Sequence, residues 1–472
     1  MTEERDRKKT VIIIGAGPGG YPAAFRAADL GLEVTLIDKR AWPGGVCLHH
    51  GCIPTKALLH TERVLAEAKA LTDCGVSFAS PSIDIEMLRT WKEGITHKLA
   101  EGIAALCKRR NINLIHASAH LINNRQVELT YPDGRTNVLS ADYIIIATGS
   151  APIEIPGIPT DGSRIMNSKS ALELTDIPER LLVIGGGYIG LELGSVYAAF
   201  GSKVTVVEKM PQLLPGVDRS LVTPLSRELS SRFDKILLKT SISKVEVHGD
   251  RVSVLLNGPG GETSMPFDKI LISIGRKPIT DHLGLENTDI KIDARGFIEV
   301  NENGESAVPT IFAVGDVAGN PMLAHKATFE GIQVADFIAG KSRKIETRII
   351  PAVVFTTPEI AWCGITEQEA KAEKRNVKVC RFPWSASGRA LTMGAGNGLT
   401  RLILDEDTSK ILGVGITGKG AGELIGEGLL AVQQGLKAEE LASTVHPHPT
   451  LSETMMEAAD IFLGSAIHVY RK

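Results

Sequence analysis

Two stretches of the chain carry the same pattern of apolar and polar positions. Val11–Ile14 is an unbroken apolar run, and so is Leu181–Ile184. A short run that is apolar on both faces predicts a strand buried inside a parallel sheet. Each run enters a glycine cluster, Gly15-Ala-Gly17-Pro-Gly-Gly20 in the first and Gly185-Gly-Gly187-Tyr-Ile-Gly190 in the second. Each cluster opens a helical stretch that stops at a glycine, Gly31 or Gly201. An alternating strand follows, Leu32–Asp38 or Ser202–Glu208, and ends on an acid. Both copies measure 23 residues from first glycine to acid, and matching positions lie 170 apart throughout. The repeat predicts two Rossmann-like βαβ units and an α/β fold.

Neither apolar stretch reads as a membrane span. Val11–Phe25 runs into Arg26 and Asp29, and Leu181–Phe200 is interrupted by its glycines and Glu192. A span needs about 20 apolar residues with few charges. The order strand, glycines, helix, strand, acid has a chemical reading instead. The glycines let the backbone approach a pyrophosphate, the helix start offers N–H donors, and the acid accepts from ribose hydroxyls. Gly15, Gly17, Gly20 and Asp38 form one candidate dinucleotide site; Gly185, Gly187, Gly190 and Glu208 form the other. A carboxylate at 208 repels a 2′-phosphate, so the second site is expected to prefer NAD over NADP, although Lys209 softens that preference. Tyr143–Gly149 closes the first unit and Ile270–Gly275 the second. From acid to closing glycine is 111 residues in the first copy and 67 in the second, so the first carries 44 more.

Composition narrows the partners. The 472 residues carry 52 lysines and arginines against 55 acids, a net charge of −3. No global field draws such a chain to nucleic acid or to an anionic membrane. Six cysteines are too few for a disulfide framework. The start, Met1–Thr10, is densely charged in both signs, unlike a signal or transit peptide, so a reducing cytoplasm is expected. A cysteine pair in that setting points to catalysis or metal binding. Cys47 and Cys52 lie in the longer first unit, within Gly44-Gly-Val-Cys47-Leu-His-His-Gly-Cys52-Ile-Pro-Thr-Lys56. In an ideal helix that spacing separates the Cα atoms by about 8–9 Å, more than the ~7 Å a disulfide spans. If the two pair, the helix must break between them, and Gly51 suits the break. The residues alone leave three readings: a redox pair, zinc ligands together with His49, His50 or His60, and inert small apolar residues. The spacing fits no common structural zinc pattern. Cys74, Cys107, Cys363 and Cys380 are isolated and read as buried small side chains.

Near the C-terminus the chain reads His446-Pro-His448-Pro-Thr450-Leu-Ser-Glu453. The prolines hold this piece extended, and Thr450-x-x-Glu453 predicts a capping box for a last helix. A histidine can also take and return a thiol proton near neutral pH, with a carboxylate fixing its tautomer.

The Cys47–Lys56 segment resembles the redox-active motif of the FAD-dependent pyridine nucleotide–disulfide oxidoreductases. So do both glycine fingerprints, Ala147-Thr-Gly149, Gly275-Arg-Lys-Pro278, Ala313-Val-Gly-Asp316-Val317 and the His-Pro-Thr motif, so the likeness covers nearly the whole chain. Within the family it is greatest to members that oxidise protein-bound dihydrolipoamide. The resemblance implies a Cys47–Cys52 disulfide, with Cys47 the interchange thiol. It places FAD on the first fingerprint, with Asp38 on its ribose, Asp316 near its ribityl–phosphate part, and backbone contacts at Ala119, Thr148 and Gly149. Lys56, paired with Glu192, would sit near flavin N5, and Met322, Leu323, Ala324 and His325 would start the helix facing the flavin, His325 through its backbone. NAD would lie on the second fingerprint, with Glu208, Ile242 and Gly275. His448 would be the acid–base residue and Glu453 its orienter, acting on the partner subunit of a homodimer. His49-His50 departs from the family's usual asparagine and small or apolar residue. The implied parts are an FAD domain at 1–150, an NAD domain at 151–277, a central part at 278–349 and a C-terminal α+β dimerisation domain at 350–472. The implied partner is the lipoyl domain of a 2-oxoacid dehydrogenase complex or of the glycine cleavage system, and no metal is called for. Two alternatives stand beside this reading: a related reductase with a different thiol substrate, and a non-catalytic flavoprotein scaffold subunit.

Overall fold

In the computed structural model, which describes residues 7–341 and 349–470, the first apolar run is β1 (Thr10–Ile14), the centre of a five-stranded parallel sheet. The first and last few residues and the 342–348 stretch of the expected central part lie outside the described residues. α1 (Gly20–Asp29) crosses to β2 (Glu33–Asp38), which pairs with β1 from Thr10↔Glu33 to Ile14↔Ile37. Between β2 and the edge strand β3 (Asn113–His116) lie α2 (Gly45–His50), α3 (Cys52–Ala70) and α4 (Ile85–Arg109). On the other side of β1 run Tyr143–Ile146 and then Ile311–Ala313. The sheet is therefore finished by residues from far along the chain, and Asp316 follows its last strand.

The second copy repeats the design. Arg180–Ile184 is the centre of a parallel sheet, flanked by Lys203–Glu208 and Lys269–Ile272. α5 (Ser168–Glu173) precedes it and α6 (Tyr188–Ala199) follows its glycines. Both helices α1 and α6 end two residues before the glycine that the pattern marked, and Gly31 (φ +87°) and Gly201 (φ +114°) turn left-handed there. That conformation is cheap for glycine alone.

The last third forms an antiparallel sheet in the order Ala352–Val354, Glu359–Gly364, Ile411–Gly418, Leu399–Asp405, Val377–Pro383. Helices Ala421–Gln434 and Glu453–Leu463 bury Ile425, Ala431, Met455 and Ala458 against it.

α3 ties the three parts together. Its Leu58 and Leu59 share a core with the second unit and with Val354 and Ile360 of the last third. Its fully buried Glu62 accepts from Arg232 and from the Thr357 hydroxyl, so this carboxylate is held from both parts. Arg63 donates to Glu359 at 2.5 Å. Removing one partner from such a buried pair would strand the other charge, so the ties fix where α3 begins. Among the described residues, no helix is long and apolar enough to cross a membrane.

Candidate functional site

The helix breaks between the two cysteines. Gly51 ends α2 and opens α3, and a Cβ on it would meet Val46 O at 3.0 Å and the Cys47 Cα at 3.2 Å. The close return of the chain brings the cysteines within hydrogen-bond reach, and both are thiols. The hydrogen bond from Cys47 lowers the Cys52 thiol to about 7; burial opposes the shift and the Lys56 ammonium adds to it. The same bond, reinforced by burial, pushes Cys47 up. In the dithiol state the charge therefore rests on Cys52, with Cys47 S–H donating to it.

Lys56 stands one turn along α3 from Cys52. Its ammonium donates to Glu192 Oε2 at 2.9 Å and lies 4.5 Å from the centre of the Phe355 ring. Glu192 is 2% exposed and its other oxygen accepts from the Phe355 backbone N–H at 2.9 Å. The lone acid of the apolar helix α6 thus has two partners, as its burial requires. One carboxylate joins the redox helix, the second βαβ unit and the last third of the chain.

Cys47, Cys52, Lys56 and Glu192 line a cavity with Gly15, Gly17 and Asp38 at one end and Thr148, Gly149 and Asp316 further along. Met322 and Ala324 close another side, while Leu323 caps the helix Ala324–Ile338 and His325 turns away to Pro351 O. The cavity is shaped by backbone. A Cβ on Gly20 would fall 1.7 Å from Gly15 O, and one on Gly45 would fall 2.5 Å from the Gly17 Cα. α1 starts with no side-chain cap; its Gly20 and Tyr21 N–H groups donate to Gly17 O, which folds the glycine loop tightly onto the helix start. Asp38 accepts from Ala16 N–H at 2.7 Å and Arg40 N–H at 2.9 Å, which braces the glycine loop. A long dinucleotide with a central pyrophosphate, such as FAD, fits a cradle of this kind. Ala119 lies off the cavity lining, in the strand Ser118–Asn123, which starts directly after Ala117, whose N–H donates to Asp38 O.

The second fingerprint is built alike. Gly185 takes the same φ of +104° as Gly15, and Glu208 accepts from Gly186 and Met210 N–H groups, each at 2.7 Å. A Cβ on Gly190 would fall 2.4 Å from Gly185 O, whereas one on Gly187 would meet nothing within 4 Å. Gly275 turns with φ +125° at the end of the sheet, and Ile242 is half-buried in the strand Ser241–His248. A dinucleotide such as NAD(H) fits this open loop.

His448 is elsewhere. Its side chain is 78% exposed, is not part of the cysteine cavity, and bonds Glu453 Oε1 through Nδ1 at 2.8 Å. Burial pushes Glu453 up, but the Thr450 N–H and His448 together outweigh it and the carboxyl lies below its ordinary value. An ionised Glu453 keeps the proton on Nδ1 and leaves Nε2 as a free base. His446, 5% exposed, is occupied by Glu427 at 2.7 Å. The expected capping box is only half formed. Glu453 accepts from Thr450 N–H, but the Thr450 hydroxyl donates back to Pro447 O and the helix is capped by Ser452 without a side-chain bond. The chain bends at His448 and Pro449 instead of running extended as the prolines predicted, and the bend offers the Thr450 hydroxyl a nearer acceptor in Pro447 O.

Cys74 is exposed, not buried as expected, because the short turn Leu71–Cys74 sits at the tip of the α3–α4 hairpin; Cys107, Cys363 and Cys380 are buried. Three functional positions escaped the sequence reading. Tyr188, from the second fingerprint, lines the first cavity. Arg276 donates to Ser150 Oγ and O at 2.7 and 2.6 Å, and Ser150 in turn donates to Asp316. Phe355 was invisible because it acts through its backbone and ring across 163 residues of chain. The Gly275–Pro278 motif was the available signal for Arg276. Among the described residues, no group of three or more histidine, cysteine, aspartate or glutamate side chains is placed to hold a metal ion.

Comparison with known proteins agrees over the same span. Residues 9–331 match the family described as pyridine nucleotide-disulphide oxidoreductase, and residues 350–459 match that family's dimerisation domain. The chain is 43% identical over 462 residues to the dihydrolipoyl dehydrogenase of Vibrio parahaemolyticus, covering 98% of this chain and 97% of that one. It is 44% identical over 465 residues to the dihydrolipoyl dehydrogenase of Thermus scotoductus, covering 98% and 99%. The crystal structure of LpdA from Mycobacterium tuberculosis superposes with a TM-score of 0.89 at 26% identity, covering 96% of this chain and 99% of that one. The chain belongs to the pyridine nucleotide-disulphide oxidoreductase family.

Proposed function

We propose that the protein oxidises dihydrolipoamide carried on a lipoyl domain to lipoamide and reduces NAD, as a homodimeric flavoenzyme of the cytoplasm. The observation that carries the reading is the Cys47/Cys52 pair at a broken helix, beside the Lys56–Glu192 ion pair and inside a glycine-lined cavity. The full-length likeness to dihydrolipoyl dehydrogenases supports the substrate. Its working parts follow the boundaries 1–150, 151–277, 278–349 and 350–472.

The chain's own residues divide the work. His448 Nε2 takes a proton from one dihydrolipoyl thiol, with Glu453 holding the imidazole upright. The resulting thiolate attacks Cys47 Sγ of the oxidised pair, the Cys47–Cys52 bond breaks, and Cys52 leaves as a thiolate. Lys56 steadies that charge. The second dihydrolipoyl thiol then displaces Cys47 from the mixed disulfide, closing the lipoyl disulfide and giving its proton to Cys47, whose S–H now donates to the Cys52 thiolate. FAD, held by the Gly15–Gly20 loop, Asp38 and Asp316, would supply the two-electron relay between the dithiol and NAD. His448 stands far out on the dimerisation part, which supports its service to the partner subunit's cysteines.

The test is NADH formation by the purified yellow protein from dihydrolipoamide and NAD, run beside NADP and beside reduced glutathione. Rapid turnover with dihydrolipoamide and NAD alone is expected. Turnover with glutathione, or none with dihydrolipoamide while FAD is bound and both thiols are intact, overturns the substrate.

A further inference from the structure

The His49-His50 pair, which the redox chemistry leaves without a role, faces a second cavity. It measures about 360 Å³ and lies behind α2, walled by the loop after β2, by α4 and by α5. Neither cysteine and no fingerprint glycine lines it. His50 and Arg40 line both cavities; His49 and Lys169 line only this one.

Its walls are basic. Arg40 comes from the loop, Lys92 from α4 and Lys169 from α5, against the carboxylates Glu93 and Glu173. Glu93 stands 3.9 Å from the Lys92 ammonium, and Lys92 also donates to Leu172 O, so these two groups are committed to the wall. Among the described residues, Arg40 and Lys169 have no side-chain hydrogen bond or ion pair. Two unpaired cations, one from a loop and one from a helix, line one cavity together with two imidazoles. His49 Nε2 is 2.9 Å from Pro43 O, which leaves its Nδ1 edge uncommitted. Trp42 is 41% exposed beside the opening, edge-on to His97 at 5.0 Å.

We propose that this cavity is a binding site for a doubly charged oxyanion of phosphate size, free or as a phosphate monoester, held by Arg40, Lys169 and the His49-His50 pair. Arginine and lysine suit such a ligand, the first by a forked pair of donors and the second as a point charge. The field at the wall agrees with the geometry. Burial lowers His50 to about 4, and the next largest causes are the cations Arg40 and Lys169, then His49 and Lys92. A dianion relieves that crowding and favours the protonated imidazole, so binding takes up a proton. The groups that face His50 are thus Arg40 from the loop, Lys92 and Glu93 from α4, Lys169 and Glu173 from α5, His49 on its own helix, and the thiols on its other side.

The experiment is titration calorimetry on the FAD-loaded dimer, so that the cofactor's own phosphate cradle is filled. Sulfate is the probe for charge, because it stays a dianion across the range. Phenyl phosphate is the probe for a monoester whose ring can lie on Trp42. Sulfate is expected to bind saturably and about ten-fold more tightly at pH 5.5 than at pH 7.5, with proton uptake. Tighter binding of phenyl phosphate than of inorganic phosphate identifies the monoester as the source; equal binding identifies the free ion. Lys169→Ala should weaken sulfate about ten-fold and Lys169→Arg should restore it, with FAD content and dihydrolipoamide turnover unchanged in both. His50→Gln should abolish the pH dependence. Absence of saturable binding at pH 5.5, or unchanged affinity in Lys169→Ala, overturns the site.

Discussion

The two glycine fingerprints are the same device put to different uses. Gly15 and Gly185 turn with the same φ, and Asp38 and Glu208 brace their loops through the same pair of backbone N–H groups. They differ in what stands over them. The first loop is roofed by Gly45 and α2, which bring the cysteines down onto the cavity. The second has open space over Gly187, and its Tyr188 reaches toward the first cavity. A roofed loop suits a resident cofactor and an open one suits a ligand that comes and goes. The additional residues of the first copy lie between β2 and β3, where α2, α3 and α4 stand.

The comparison can be broken at several points. Cys52→Ser removes the chemistry of the roof while leaving both loops intact. Dithiol-dependent NADH formation should fall by about 1,000-fold or more, with FAD content unchanged by absorbance. His448→Gln removes only the base; dihydrolipoamide oxidation should fall about 100-fold while NADH still bleaches the yellow protein. Normal turnover there would transfer the role to His446. The matched pair Gly20→Ala and Gly190→Ala sharpens the contrast between the loops. The first should yield protein without bound FAD. The second should stay yellow with KM for NAD raised about ten-fold, read by steady-state kinetics. Glu208→Ala should narrow the preference for NAD over NADP by about ten-fold, and no narrowing would remove that acid's part in specificity. The smallest effect is in pH. Alkylation of the reduced protein should rise through a midpoint near pH 7 instead of the ordinary thiol value of 9.0, because the Cys52 proton is lost early. Lys56→Met should move that midpoint upward.

The repeat, its strands and its turn glycines were legible because they are local. Strand, glycine and acid lie within 23 residues, and backbone rules act at that range. The break at Gly51 was legible for the same reason. Arg276 on Ser150, Tyr188 at the first cavity and Phe355 on Glu192 were not, because each joins residues more than 100 positions apart or belongs by sequence to the other unit. The failed half of the capping box shows a local rule losing to a nearer acceptor.

Glu192 has a consequence for how the protein is made. Its two oxygens are taken by Lys56 and by the Phe355 N–H, and the latter leaves the ribosome 163 residues later. A nascent chain that already displays both cysteines still lacks the segment that holds this carboxylate and covers the lysine with a ring. Cys52 owes its acidity to Cys47 and Lys56, both close by in sequence, while Glu192 opposes it, so what the last third adds as synthesis ends is the fixed place of the lysine and not the reactivity of the pair.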